Sequence, residues 1–544
     1  MSSSVHSAEL TQRHSSASYQ IESGTSDSDN AKLEQMGYKA ELQRSFSIWS
    51  VLGVGFGLTN SWFGISAALI TGISSGGPLL IVYGIIIIAS VSTCIAITLS
   101  ELSSAMPNSG GQYYWTLQLA PKKYANFLAY ACGSFAWAGS IFSSSSVTLS
   151  IAQGIVGMYA LDHDGFEVKK WQILVAYQLL NFFMFWFNCY GRALPYVAKT
   201  ALYVSIFSFI TITITVLACS SGKYQSAHFV FVQFNNNTGW KQAGMAFIVG
   251  LINPNWCFSC LDCATHMAEE VPKPERVIPI AIMSTVAIGF GTSFCYVISM
   301  FFSIQNLEAI FASTTGSPIL DIYYQALNNK AGALCLMSLL MITAFGCNIS
   351  SHTWQARLTW SFARDRGMPG SKYWSQVDPK LGVPLYAHLM SCTWCAILGC
   401  LYMASETAFN SMVVGCISFL LLSYCVPVIC LLRVGRNNIQ RGPFWLGKIG
   451  LVANIVVIAW TVFACVVYSL PFTKPVTQEN MNYVSVVLVG YFLYMVLYWK
   501  LRGNRTFRSH EEREGLVEED RDEKDERHPD HLPEKLKDVV GVVQ

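Results

Sequence analysis

An all-α polytopic membrane protein of about twelve transmembrane helices is the fold class this sequence predicts, with broken first and sixth helices and two halves related as an inverted repeat. Three observations lead there. Of 544 residues, 52% are hydrophobic and 12% charged, whereas soluble domains average about 25% charged. Apolar runs long enough to cross a hydrocarbon core of about 30 Å recur along the middle of the chain. Two of those runs, five spans apart, share a Gly-Leu-x-Asn signature followed by tryptophan, beside helix-breaking residues.

Taken in order, residues 1–43 are polar and serine-rich (Ser2, Ser3, Ser4) without an apolar leader core. They read as a disordered tail rather than a cleavable signal, so the first span serves as the insertion signal. Spans follow near 46–73, 78–100, 125–158, 171–190, 195–219 and 241–268. Six more follow near 278–303, 331–360, 385–404, 409–432, 447–470 and 482–500. Residues 504–544 (Glu511, Glu512, Glu518, Glu519, Asp520) form a second charged, disordered tail, leaving 44–503 as the membrane domain.

An even number of spans puts both tails on one side. Loops on that side hold thirteen lysines and arginines, among them Lys122, Lys123, Arg192, Arg364 and Arg436, against six on the other. The positive-inside rule then makes both tails cytoplasmic. The sequon Asn236-Asn237-Thr238 falls in the external loop between the fifth and sixth spans, an acceptor for a glycan. Asn348-Ile349-Ser350 also fits the sequon but lies within a span.

Several classes drop out. A formal net charge of +2 gives no reason to expect a nucleic-acid partner. Most of the 17 cysteines (Cys94, Cys219, Cys347, Cys416, Cys465) sit singly in apolar runs, where cysteine acts as a small hydrophobe. Cys260 and Cys263 have CxxC spacing, but no second pair completes a zinc site, so no metal and no cofactor are expected. Enzyme motifs of the Walker, GxSxG and HExxH kinds are missing, and the GxGxG from Gly53 to Gly57 follows no strand.

The two broken segments carry the functional signal. The first span holds Gly53, Gly55, Gly57 and Gly64 within twelve residues, each weakening a helix by roughly 1 kcal/mol against alanine. The sixth reads Gly250-Leu251-Ile252-Asn253-Pro254-Asn255-Trp256, where Pro254 removes a donor and clashes with the preceding turn. An odd offset of five spans makes the repeats cross in opposite directions, the plan of many secondary transporters. Unwound backbone at that depth is tolerable where it lines a polar cavity. Close packing of small residues accounts for one glycine-rich helix but not for the whole pattern.

Trp62, Phe63, Trp256 and Phe258 flank the breaks, and Trp137 lies midway along the third span. Aromatic faces attract quaternary ammonium groups without a hydrogen bond, although each ring equally suits packing. Glu101, at the inner end of the second span, calls for a loop arginine or backbone donors. Asp262 and His266 share a helix face four residues apart. Counted from Asn253-Pro254 they lie two turns past the break, some 10 Å towards the cytoplasm, and suit an inner gate, a proton step or a structural pair equally.

The segments Ser100–Tyr114, Asp262–Ile280 (with Glu270, Pro274, Arg276 and Pro279) and Thr359–Pro369 resemble the amino acid–polyamine–organocation superfamily. Gly57–Ser66, Ile73–Ile88, Phe247–Ile282, Ser317–Tyr323 and His352–Asp365 bring the resemblance closer, to the fungal amino acid/choline permeases, over residues 44–503. The resemblance implies a five-plus-five inverted repeat and secondary uptake of choline and ethanolamine across the plasma membrane. It also implies a site between the broken helices, lined by the third, eighth and tenth. This nominates Gly55, Gly57, Asn60, Trp62, Trp137, Asn253, Trp256 and Phe258, with Phe345, Asn348 and Tyr424 beside them. Glu101, Asp262, His266, Glu270 and Arg276 are nominated for gating or proton coupling. Asn255 and Cys257 depart from the plainer residues expected in the sixth-helix break. Two alternatives stand: an amino acid or γ-aminobutyrate permease, holding a carboxylate on the amides of Gly55 and Gly57, and a non-transporting nutrient receptor signalling through its tails.

Overall fold

The computed structural model describes residues 28–313 and 315–507, which are helical with no strand among them. The first span is α1 (Ile48–Thr59), capped by the Ser47 side chain, then α2 (Ser61–Ala67) and the opening of α3 (Leu69–Ala105). Within α3 the chain turns at Gly76 and Gly77, whose φ of 69° suits glycine, and Pro78 starts the second span. A short α4 (Gln112–Leu119) leads to α5 (Ala125–Asp162), α6 (Lys170–Asn188) and α7 (Leu194–Cys219). The sixth span is α8 (Ala243–Gly250), α9 (Ile252–Cys257) and a 3-10 helix, Leu261–Glu270. Next come α10 (Pro274–Ser303), an interposed α11 (Pro318–Leu327) and α12 (Lys330–Arg364). The last spans are α13 (Leu385–Ala404), α14 (Glu406–Val434), α15 (Lys448–Val467) and α16 (Val484–Tyr498).

Among the described residues, ten segments are long and apolar enough to cross a membrane. The α1–α2 pair is broken, and α6, of 19 residues, is about 28 Å long at 1.5 Å per residue. These two make up the difference from twelve. Both ends of the described chain meet on one face of the bundle, called here the tail face. There Phe46 N donates to Glu270 O, and Phe507 packs on Tyr130 and Phe362.

The structure moves the breaks. In the first span all three glycines through Gly57 stay helical, and the chain unwinds at Asn60 instead. Gly53 and Gly57 serve close approach: a Cβ on Gly53 would stand 2.4 Å from Ala198 O, and one on Gly57 2.8 Å from Ser350 Oγ. In the sixth span Pro254 sits in the first turn of α9, where a missing N–H costs little. The unwinding comes four residues later, at Phe258–Cys260. Asp262 therefore lies directly after the break, not two turns beyond it.

The N-terminal boundary also differs from the expected one. Residues 28–43, read from the sequence as tail, begin with a helix over 28–35 and bury Leu33 and Tyr38 against the tail face. The aromatic ring of Tyr38 supplies what composition alone conceals. At the other end Phe507 is 1% exposed. The remainder of both expected tails, 1–27 and 508–544, lies outside the described residues.

Candidate functional site

Asn60 has φ 24° and Cys260 φ 64°, one non-glycine residue at positive φ in each break. Such conformations cost of order 1–3 kcal/mol and persist where surroundings enforce them. Asn60 is held by its amide bonding Phe56 O at 2.7 Å and by its side-chain Nδ2 donating to Ser205 Oγ at 3.1 Å. Cys260 is held by a 3.2 Å contact between its Sγ and Ser143 Oγ on α5. The breaks meet directly, since the Thr59 hydroxyl donates to Ser259 O at 3.3 Å.

Two cavities bracket this junction. On the face away from the tails a vestibule of about 480 Å³ narrows to Asn253 and Trp256, with Glu406 and Glu479 near its mouth. Behind Trp256 lies a small space of about 10 Å³, lined by Leu58, Thr59, Phe63, Gly64, Ser143, Val147, Ser259, Cys260 and Cys347. Trp256 borders both. This lining is apolar and hydroxylic and carries no charged side chain.

Of the nominated residues, Asn253 and Trp256 line the vestibule, and Asn253 Nδ2 donates to Ala68 O at 2.6 Å. Others point elsewhere. Trp62 turns outwards: its Nε1 donates to Ser205 Oγ at 3.0 Å and its ring packs on Tyr296 and Phe209. Trp137 stacks edge-on against Trp394 of α13, and Phe258 packs towards Gly289 of α10. These three rings pack helices together and line neither of the two cavities. Phe345 is half-buried and lines neither cavity. Gly55 faces Thr285, and its amide and that of Gly57 remain within α1, so neither is a freed donor. Asn348 accepts from Thr148 Oγ1 at 3.2 Å, joining α12 to α5.

Asp262 is bracketed by two partners. The Tyr424 hydroxyl donates to its Oδ1 at 2.5 Å, and His266 Nε2 lies 3.2 Å from its Oδ2. His266 Nδ1 reaches Ser109 O at 2.7 Å. All three side chains are buried. Tyr424 thus braces Asp262 rather than lining either cavity. Cys260 and Cys263 diverge, Cys263 Sγ reaching Val54 O while Cys260 faces Ser143.

Buried ion pairs close the tail face. Arg357 grips Glu270 through Nε (2.8 Å) and Nη2 (3.1 Å), and Arg364 grips Glu269 at 2.9 and 2.8 Å. Glu101 accepts from Arg436 Nη2 at 2.8 and 2.9 Å and from Leu446 N at 2.8 Å. Tyr38 lies under the Arg364 guanidinium at 4.3 Å, with Trp360 at 4.4 Å. The N-terminal segment adds Arg44, whose Nη1 donates to Val271 O at 2.7 Å. Arg276, nominated for gating, is exposed and outside these pairs, because it lies on the solvent side of the first turn of α10. Arg357, Arg364, Arg436 and Glu269 were missed by sequence reasoning, which named carboxylates without their partners. Their one signal was arginine at the end of an apolar run. On the opposite face, Asn236 donates to Trp240 O at 2.7 Å and accepts from Thr238, in a tight turn.

Residues 46–492 match the amino acid permease family. The chain is 64% identical over 476 residues to the choline transporter of Saccharomyces cerevisiae, covering 88% of this chain and 84% of that one. It is 34% identical to the 7-keto 8-aminopelargonic acid transporter of the same yeast, over 84% of this chain and 91% of the relative. An amino-acid permease of Arabidopsis thaliana is 27% identical, over 88% and 96%.

Proposed function

The chain belongs to the amino acid permease family, and we propose that it imports choline, and with it ethanolamine, across the plasma membrane by alternating access. A multi-pass membrane transporter is the family's plan, and the 64% identity to a choline transporter across 88% of the chain carries the substrate reading. The geometry supports it. Trp256 and Phe63 line a space with no charged group among its described lining residues; at about 10 Å³ it has room for a single water in this closed state, and displacement of Trp256 would join it to the vestibule, where the two aromatic faces suit a quaternary ammonium. Asp262, two residues beyond Cys260, places a carboxylate next to that cavity without lining it, so it draws a cation through the field rather than by contact.

In this reading the tail face is cytoplasmic, following the lysine and arginine bias, and the vestibule faces outwards with Asn236. The substrate enters the vestibule, Trp256 swings aside to join the two cavities, and the ion pairs of the tail face then part. The inside-negative potential supplies about 2.3 kcal/mol per charge per 100 mV for a cation. Asp262 with His266 is the candidate for proton coupling.

Labelled choline uptake in cells lacking their own transport tests the reading. Trp256→Ala is expected to raise KM roughly 2- to 30-fold, the span of cation–π energies, with Trp256→Phe milder and surface expression normal. Absence of choline uptake, or an unchanged KM in Trp256→Ala, would sink it. The competing reading, an amino acid permease, is favoured by the start of α2 after Asn60, which has no side-chain cap. Strong competition of unlabelled amino acids against choline would select it instead.

A further inference from the structure

His352 on α12 and His388 and Cys392 on α13 converge in the bundle, all three buried, with their ligand atoms within 4.8 Å of one another. Cys392 Sγ lies 3.6 Å from His352 Nδ1 and 3.8 Å from both His388 Nδ1 and Nε2. His388 and Cys392 stand one turn apart on the same helix face, and His352 completes the triangle from the neighbouring span. None of the three lines the vestibule or the cavity behind Trp256.

The hydrogen bonding orients the donors. His388 Nε2 faces Phe185 O at 3.2 Å, so that nitrogen carries the proton and Nδ1 keeps its lone pair for the cluster, the arrangement of a metal-bound imidazole whose far nitrogen donates to a carbonyl. His352 Nε2 has no partner despite full burial. Metal–nitrogen and metal–sulfur bonds of about 2.0–2.1 and 2.3 Å at trigonal or tetrahedral angles put N and S about 3.6–3.8 Å apart, the separations found here. Arg357, close enough to act on His388, is neutralised by Glu270.

We propose that His352 Nδ1, His388 Nδ1 and Cys392 Sγ bind a thiophilic closed-shell metal ion, zinc or monovalent copper, that ties α12 to α13. Thiolate and imidazole donors together select these ions over magnesium or calcium. On binding, the Cys392 thiol releases its proton to solvent as the sulfur–metal bond forms, so affinity falls with acidification. With monovalent copper the three-donor site is neutral overall, which suits its depth in the bundle; zinc leaves one positive charge.

The test uses the purified full chain in detergent, loaded separately with Zn2+ alone and with Cu+ alone, then dialysed. One retained ion per chain is expected, with X-ray absorption showing one sulfur and two nitrogens, and the ion retained identifies the metal. Cys392→Ser and His352→Gln should each lower retained metal at least tenfold while eluting as monodisperse protein. Retention unchanged in Cys392→Ser, no retention of either ion, or a shell without sulfur would overturn the proposal. The absorption spectrum of the unmutated chain decides the matter even where a variant fails to fold.

Discussion

Replacing Glu270 by glutamine is the sharpest probe of how the tail face stays shut. Arg357 is 1% exposed, and its guanidinium is satisfied by two bonds to Glu270. Removing one member of a buried pair leaves an uncompensated charge, at roughly 3–5 kcal/mol. That penalty falls on the tail-closed state, because opening this face lets water reach Arg357. The balance between the two states should therefore move by on the order of 10² to 10⁴ towards tail-open. Purified Glu270→Gln is expected to melt earlier than the unmutated chain, and cells carrying it to take up choline at least tenfold more slowly. Glu270→Leu combined with Arg357→Leu restores the melting temperature, since two apolar groups of similar volume replace the pair. It does not restore uptake, because the closing latch is gone. A double variant no more stable than Glu270→Gln, or a Glu270→Gln protein with unaltered melting and uptake, refutes the reasoning.

Gly53→Ala should block folding of the α1–α7 contact, since its Cβ meets Ala198 backbone that cannot yield, while Gly244→Ala, with open space around it, should leave expression and uptake unchanged. The two are compared by the amount of monodisperse protein recovered. On the vestibule side, burial raises the Asp321 carboxyl to about 6, partly offset by donation from Ser313 and Thr315. A raised carboxyl favours the folded loop when protonated, so thermal stability should rise as pH falls from about 6 towards 4. Asp321→Asn should flatten that slope in melting curves taken across this window. Asn236→Gln should abolish the mobility shift that endoglycosidase treatment produces in protein from a glycosylating host.

What was legible from sequence was set by composition and periodicity. The spans at 125–158, 195–219 and 385–404 lie within a few residues of α5, α7 and α13, because an uninterrupted apolar run admits no other solution in a bilayer. The breaks were legible as regions and not as residues. Gly53 to Gly57 and Pro254 carry the propensity to unwind, yet tight packing against α7 and α12 keeps the glycines helical, and Pro254 falls in a first turn. The true breaks fall at Asn60 and Cys260, held by Ser205 and Ser143 from distant parts of the chain. The direction a tryptophan faces depends on similar long-range contacts, so Trp62, Trp137 and Trp256 looked alike while only the last borders the cavities. Tyr38 shows the converse: in a polar segment its ring docks under Arg364, together with buried Leu33 and the Arg44 bond to Val271 O, contacts that composition does not reveal.

The two sides of the junction are closed by different physics. Towards the vestibule the barrier is the Trp256 side chain, whose displacement changes a rotamer and some packing. Towards the tails it comprises three carboxylate–guanidinium pairs, the Asp262–His266 contact and the docked residues 28–46. Parting each pair is favourable only as water replaces the lost partner, so the face opens at little cost only where water enters it. Such a closure behaves as a two-state element, in contrast to a side-chain gate that fluctuates freely. In the proposed transport cycle, opening the tail face is then the slow step, and changes there act on turnover. Changes at Trp256 act on apparent affinity. Asp262 lies directly after the second break and is bonded to both Tyr424 and His266, which in the proposed cycle makes it the candidate link between occupancy of the cavity and the tail face. In that proposed cycle a cation arriving behind Trp256 would weaken the hold of Tyr424 and His266 on that carboxylate, at the start of the 3-10 helix whose far end carries Glu269 and Glu270.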